Sequence, residues 1–137
     1  MSNKLCRQAI ETQLATWAAT RTPALPVAWE NVQFTAPATA YLRAFLLPAT
    51  TVSDDLAGTH REYHGIYQVS VVCPIDTGPG AAEGIADEIA ALFPLNTRLS
   101  VTGLTLQIIS PVTAAQGLPD GSNYIVPVSF GYRADTI

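Results

Sequence analysis

Apolar side chains recur with helical spacing at the beginning of the chain and again past its middle. The first set recurs every three or four residues and comprises Cys6, Ile10, Leu14 and Trp17. Polar residues lie between them, as in an amphipathic helix that packs one face on a core. We expect this helix to begin at Ser2, whose hydroxyl can accept from the first free amides, and to end before Pro23.

The second helical pattern follows a glycine- and proline-rich stretch. Its apolar stripe comprises Ala82, Ile85, Ala86, Ile89, Leu92 and Phe93. Asp76 or Thr77 is expected to cap its N-terminus. Pro79 is expected in its first turn, and Pro94 just past its end. Gly84 lies inside this helix, where glycine costs about 1 kcal/mol relative to alanine, so we expect close packing to require it.

Side chains alternate with the two-residue period of β-strands in residues 41–47, 63–73, 104–110 and 124–134. A short extended piece surrounds Val27. Both faces of the first strand are mostly apolar, which is typical of a strand that is central or covered on both sides. The first two strands are expected to form an antiparallel hairpin. Asp120 and Gly121 indicate a turn before the last strand, and Pro127 indicates that this strand lies at an edge or carries a bulge.

The order of helix, strands, helix and strands predicts an α+β fold. We expect a mainly antiparallel mixed sheet with two main helices packed on it. The length of 137 residues fits one domain with a sizeable core, so residues 1–137 are taken as a single domain.

Composition and charge exclude several classes of protein. Hydrophobic residues make up 48% of the chain and charged residues 13%, which excludes a disordered chain and indicates that partners cover some apolar surface. A net charge of −4 provides no basic stripe, so we expect no direct nucleic-acid binding. No apolar run is long enough to span a membrane, and Arg7 and Glu11 interrupt the place of a signal peptide. Cys6 and Cys73 are expected to be buried thiols.

The segment between the first two strands, residues 50–62, is longer than hairpin connections usually are and carries a concentration of charge. His60 and His64 have the spacing of two zinc ligands on a helix. On a strand, however, residues four apart lie about 13 Å from each other, too far for one metal ion. Asp54 and Asp55 would have to complete the set from a loop, and an exposed loop does not tune a carboxylate for acid–base catalysis.

Other motifs of catalysis and cofactor binding are incomplete. Gly78 and Gly80 precede a helix, but Glu83 occupies the place of the third glycine of a dinucleotide fingerprint. There is no nucleophile elbow, and neither cysteine has a histidine near it in sequence. We therefore assign no catalytic residue, no metal site and no cofactor, and we expect the protein not to be an enzyme.

Several stretches together resemble the phage tail terminator proteins of the lambda gene U type, from phages with long non-contractile tails. They are RQAIETQLATWAA, TPALPVAWENVQFT, YLRAFLLPA, GIYQV at residues 65–69, GPGAAEGIADEIAALFP and YIVPVSFGYRAD, which cover nearly the whole chain. The resemblance implies a small α+β protein that assembles into a hexameric ring. Such a ring caps the growing tail tube, ends its polymerisation and joins the tail to the head.

The resemblance implies the tail tube protein and a head–tail connector protein as partners, with DNA passing through the ring. It also implies assembly in the host cytoplasm and a place in the tail or neck of the virion. A charged loop that reaches a neighbouring subunit explains the long connection. The predicted subunit-interface residues are Arg43, Asp54, Asp55, His60, Arg61 and Glu62. The alternatives are another head–tail neck or completion protein and a small ligand-binding domain.

Overall fold

The computed structural model describes residues 3–21, 24–53, 56, 61–75, 78–101 and 104–136. It contains two helices, α1 (Asn3–Thr20) and α2 (Gly80–Leu92). The strands are β1 (Val27–Ala28), β2 (Tyr41–Pro48), β3 (Glu62–Pro74), β4 (Arg98–Val101), β5 (Leu104–Ile108), β6 (Thr113–Ala114), β7 (Leu118–Asp120) and β8 (Asn123–Thr136). The predicted α+β fold is confirmed.

The eight strands form one sheet in the order β1-β2-β3-β8-β5-β4, and β6 and β7 also pair with β8. Of these pairings, β1 with β2 is parallel and the others are antiparallel. The predicted hairpin of β2 and β3 is present, with Tyr41 opposite Val72 and Pro48 opposite Gly65. The longest pairing joins β3 to β8, so these two strands form the centre of the sheet.

Both helices form where their apolar periodicity predicted them. Helix α1 buries Cys6, Ala9, Ile10, Leu14 and Ala18. Helix α2 buries Ala82, Ile85, Ala86 and Ile89, and Phe93 follows as a buried C-cap. Pro79 is the N-cap of α2 rather than a residue of its first turn. The expected caps Ser2, Asp76 and Thr77 lie outside the described residues.

The helices pack on one face of the sheet, which we call the core face. The strand side chains of the core cluster are alternate residues, as the pleat requires. They include Leu42, Ala44, Leu46, Tyr67, Val69, Val71, Val126, Val128 and Phe130. The ring of Phe93 stacks on that of Phe130 with centroids 4.7 Å apart, which connects the end of α2 to the central strands. Cys6 and Cys73 are buried free thiols, as predicted.

The position of Pro127 differs from the expectation. Strand β8 lies inside the sheet, and its register with β3 has no bulge at the pair of Pro127 and Ser70. The carbonyl oxygen of Pro127 accepts a hydrogen bond from the backbone nitrogen of Ala115 at 2.8 Å, so the proline nitrogen faces the same side. On that side β6 pairs with residues 128–129 and β7 with residues 123–125, so Pro127 is tolerated where these short strands separate.

Gly84 and Gly65 differ in the space available for a side chain. A Cβ atom on Gly84 would meet no heavy atom within 4 Å, so the expectation that close packing requires this glycine is wrong. A Cβ atom on Gly65 would lie 2.4 Å from the carbonyl oxygen of Leu47 and 3.0 Å from the hydroxyl of Tyr132. Gly65 is therefore required by the close approach of β2 to β3, whereas Gly84 only weakens its helix.

These environments predict opposite effects of the same substitution. We expect Gly84→Ala to raise the free energy of unfolding by about 1 kcal/mol, because alanine loses less backbone entropy in a helix and meets open space here. Gly65→Ala should lower it by about 1–3 kcal/mol through overpacking against backbone. Urea denaturation of the two variants beside the unchanged protein measures both effects, and stabilisation by Gly65→Ala would contradict the packing described.

Candidate functional site

The second face of the sheet carries a row of exposed apolar side chains. On this face, which we call the helix-free face, lie the residues of β2, β3 and β8 that alternate with the core residues. Leu47 is 50% exposed and Ile66 is 47% exposed, and the two lie opposite each other in the register of β2 and β3. Ile109, which is 48% exposed, lies at the end of the row.

Gly131 of β8 lies between Ile66 and Ile109 in this row. It pairs with Ile66, and a Cβ atom on Gly131 would lie 3.3 Å from Cγ1 of Ile109. The absence of a side chain at Gly131 therefore leaves space that Ile109 uses. We call Leu47, Ile66 and Ile109 the apolar row, and half-buried Phe45 lies beside it on β2. A row of half-exposed large apolar residues on one face is typical of a surface that a partner covers.

The exposed face of β2 corrects one sequence expectation. The apolar residues on both sides of β2 indicated a strand that is central or covered twice. In the structure β2 is next to the two-residue edge strand β1, and the helices cover only its core face. Phe45 and Leu47 therefore face away from the core. Both faces of β2 are apolar, as the sequence indicates. The expectation that the same chain covers both faces was wrong.

Charged residues of β3 and β8 border the apolar row along one side. The Glu62 carboxylate forms an ion pair with Nη2 of Arg133 at 2.8 Å and lies 3.2 Å from Nδ1 of His64. Nε of Arg133 lies 3.2 Å from the carboxylate of Asp135. These residues face one another across β3 and β8, where Glu62 pairs with Asp135 and His64 with Arg133. Glu62 is thus engaged within its own chain, in a cluster with charges of both signs.

The hairpin that joins β2 to β3 extends beyond both strands. Val52 and Glu62 exchange two backbone hydrogen bonds of 3.0 and 2.7 Å. Nη1 of Arg61 lies 3.3 Å from the hydroxyl of Ser53, across the neck of the hairpin. Leu56, which lies between them in the sequence, is fully exposed. The connection therefore exposes an apolar side chain to solvent.

The structure describes three of the six predicted interface residues. Arg43 is exposed on the helix-free face, and no ion pair or hydrogen bond of its side chain is found within the described ranges. Arg61 and Glu62 form the neck of the hairpin. Asp54, Asp55 and His60 lie outside the described residues. Sequence reasoning missed the apolar row and Leu56, although the doubly apolar pattern of residues 41–47 already indicated part of it.

Glu30 fixes the edge of β2 and so positions the hairpin. Its carboxylate accepts a hydrogen bond from the backbone nitrogen of Leu46 and another from Nη1 of Arg7 at 2.9 Å. Strand β1 pairs only with residues 42 and 43, so Glu30 occupies the next free donor along the same strand. Paired or blocked backbone groups protect this edge from strand addition.

The same arginine joins Glu30 to a second carboxylate. Nη1 of Arg7 lies 3.5 Å from Glu11, which accepts a hydrogen bond from the buried Tyr67 hydroxyl at 3.4 Å. Burial raises the pKa of Glu11 more than Arg7 lowers it. Burial also acts on Glu30, but the Leu46 amide and the Arg7 guanidinium outweigh it, and the pKa of Glu30 is lowered. The contributions of Glu30 and Glu11 to the stability of the fold therefore change in opposite directions as the pH rises.

The described residues offer little that resembles catalytic chemistry. Burial raises the pKa of the Cys6 thiol to about 11 and also raises that of Cys73, which disfavours the thiolate form in both. Within the described ranges, no three His, Cys, Asp or Glu side chains are grouped as a metal site would require. No described helix is long and apolar enough to cross a membrane. The arrangement of this region suits the binding of a partner.

Comparison with known proteins gives one family and one set of solved structures. The profile of the family described as phage tail terminator protein matches residues 5–132. Seven chains of solved structures match as well. One of them is 47% identical and superposes with a TM-score of 0.85, covering 98% of this chain and 96% of its own length. A search among curated proteins found no match.

The opposite pKa shifts of Glu30 and Glu11 predict opposite pH profiles. The lowered pKa of Glu30 gives stability above its unfolded value of about 4.3, which is lost as the pH falls through the folded pKa. The raised pKa of Glu11 gives stability at low pH, which is lost as the pH rises. Denaturation between pH 3 and 6 should therefore show the cost of Glu30→Gln growing with pH and that of Glu11→Gln shrinking. Parallel profiles would contradict the two environments.

Proposed function

This chain belongs to the phage tail terminator family, and we propose that it assembles into a hexameric ring that caps the tail tube. The family gives the protein a structural role in phage tail assembly and a place in the virion tail. The ring ends polymerisation of the tube and joins the finished tail to the head. Assembly takes place in the host cytoplasm before the tail meets the head.

The apolar row carries this proposal. Leu47, Ile66 and Ile109 are each about half exposed on a face that the helices do not cover. Covering them fully removes apolar surface from water at roughly 25 cal/mol per Å², which is the main source of affinity in protein association. We assign this surface to the adjacent copy in the ring. The row leads directly into the hairpin, because Leu47 and Ile66 precede and follow it on β2 and β3.

Charges of both signs surround the row, which suits contact between identical subunits. Arg43 and the cluster of Glu62 with Arg133 lie on the same face. The sequence between β2 and β3 also contains Asp54, Asp55 and His60, which lie outside the described residues. Contact between two different surfaces of one protein generates a closed ring when the rotation between neighbours closes. Charge pairs then fix the register of the contact, while the apolar residues supply most of its affinity.

The proposed ring has two further protein partners. One side binds the last ring of the tail tube protein, and the other binds the head–tail connector. The net charge of −4 favours a lumen that lets DNA pass without binding it.

The ring proposal is tested by placing a charge in the apolar row. We expect Ile66→Glu to abolish rings at concentrations where the unchanged protein forms them, because the carboxylate would be buried without a partner. Val32→Glu is the matched control, since Val32 is 59% exposed and lies outside the row. Light scattering measures the mass, and urea denaturation verifies that both variants fold. Normal rings of Ile66→Glu would remove the apolar row from the interface.

The role in the virion is tested in a phage that carries this gene. Loss of the gene should leave tail tubes of irregular and excessive length that do not join heads, because nothing stops their growth. Electron micrographs of the lysate provide the measurement. Tails of normal length that fail to join heads would indicate a neck or completion protein instead, and normal tails attached to heads would contradict both roles.

A further inference from the structure

A groove lies between helix α1 and the edge strand β4, away from the apolar row. It has a volume of about 770 Å³, and we call it the α1–β4 groove. Its apolar lining comprises Ala9, Trp17, Leu92 and Leu99, and most of the remaining lining is threonine and glutamine. An apolar floor with a rim of uncharged polar groups suits the apolar side chains of a protein partner.

Strand β4 forms one edge of the sheet along this groove. It pairs with β5 and is the last strand in the order of the sheet. At the β2 edge, by contrast, the carboxylate of Glu30 accepts a hydrogen bond from the amide of Leu46. Nothing comparable is found along β4 among the described residues. An uncovered strand edge beside an apolar groove is a surface on which another chain can pack.

The groove and the apolar row face different directions from one subunit. The row lies on the helix-free face, whereas the groove lies at the β4 edge beside α1, which packs on the core face. The row of one subunit can therefore meet the groove of the next in a contact between two different surfaces, which is the kind of contact that closes a ring. Contact between two rows would instead make a two-fold pair and leave the groove uncovered.

The register places both surfaces at the same level along the strands. Arg98 of β4 lies opposite Gln107 of β5, which lies opposite Arg133 of β8. Arg133 in turn lies opposite His64 of β3, two residues from Ile66 of the apolar row. Neighbours that meet through the row and the groove can therefore stand side by side with little shift along the strands, which is compatible with closure.

The two surfaces also carry complementary charge. Arg98 is the single charged residue among those that line the groove, and its exposed side chain has no ion-pair or hydrogen-bond partner within the part of the chain that the structure describes. Beside the row, Glu62 and Asp135 contribute two negative charges and Arg133 one positive charge, so this cluster is net negative when His64 is neutral. A negative cluster beside the apolar row thus matches a cation beside the apolar groove.

We propose that the apolar row of one subunit packs into the α1–β4 groove of the next subunit, where Arg98 pairs with the carboxylates beside the row. This inference rests on the proposed ring and identifies the second surface of its subunit contact. Ile66 and its neighbours in the row cover Trp17 and Leu99, so the contact removes both apolar surfaces from water. Each subunit then offers its row to one neighbour and its groove to the other.

Mixtures of variants with one added cysteine test the contact directly. Ile66→Cys places a thiol in the row, and Thr16→Cys places one on the exposed side of α1 at the groove. A short bifunctional maleimide should link the mixture into dimers and should link neither variant alone, because the two positions meet only between subunits. Ile66→Cys mixed with Ala81→Cys is the matched control, since Ala81 is exposed on α2 outside the groove. The natural Cys6 and Cys73 are buried and give a low background.

The outcomes separate this inference from the ring itself. Linked dimers in the first mixture and not in the control support the contact. Linked dimers of Ile66→Cys alone would show that two rows pack on each other, which overturns it. Rings in light scattering without dimers in the first mixture, or equal dimers in both mixtures, overturn the contact and leave the ring in place. Absence of rings in the unchanged protein at all concentrations, also with tail tubes present, overturns the proposed function and this inference together.

A charge exchange gives a second, independent readout. Arg98→Glu should raise the concentration needed for half assembly about tenfold or more, because a carboxylate would then face the negative cluster. Lys4→Glu is the matched control, since it makes the same change of charge at an exposed residue outside the groove. It should leave this concentration within about twofold, as for a surface charge without a close partner.

A second substitution should recover part of the loss. Asp135→Lys combined with Arg98→Glu should assemble better than Arg98→Glu alone, because the pair is reversed rather than removed. Urea denaturation verifies that each variant folds. Equal effects of Arg98→Glu and Lys4→Glu, or losses that simply add in the double variant, would overturn the pairing of Arg98 with this cluster.

Discussion

A β-sheet has two faces, and this chain provides helices for only one of them. The pleat divides each long strand into two sets of side chains, and α1 and α2 bury one set. The other set still includes apolar residues such as Phe45, Leu47 and Ile66. A charged second face would make a stable monomer. The composition of these strands instead leaves apolar side chains exposed to water. The strands that build the core therefore also carry the surface that we assign to the subunit contact.

The geometry of that surface depends on contacts some distance from it. Glu30 blocks the edge of β2 where β1 ends, and Arg7 connects Glu30 to helix α1. The β2 edge is thus closed by residues of the same chain, whereas β4 pairs only with β5 among the described strands. Gly65 allows β2 and β3 to approach closely at the pair of Pro48 and Gly65, next to the hairpin connection. Arg7 and Glu30 thus connect helix α1 to β2, the strand that carries Leu47.

Much of this fold follows from local periodicity, and the errors have identifiable causes. The helices and the β2–β3 hairpin were predictable because their apolar residues recur with clear periods. Strand β4 was missed because four residues, Arg98 to Val101, are too few to show a period. The expectation that Pro127 marks an edge strand or a bulge was wrong because Pro127 lies at a gap between β6 and β7, which the sequence pattern does not show. The candidate site was only partly predictable: its charges are visible in sequence, but the alignment of Leu47, Ile66 and Ile109 requires the register of β2, β3 and β8.

The different sizes of apolar and ionic contributions explain why this surface combines both. Burying the exposed half of a leucine or isoleucine contributes roughly 1 kcal/mol, and an exposed ion pair contributes about as much or less. The loss of translational, rotational and side-chain freedom on association opposes both. One contact between two copies is therefore weak. In a closed ring, each subunit makes the contact twice without a further loss of freedom for the last one, so closure strengthens a contact that is marginal in a pair. This difference suits the proposed function, in which subunits close into a ring at the end of the tail tube.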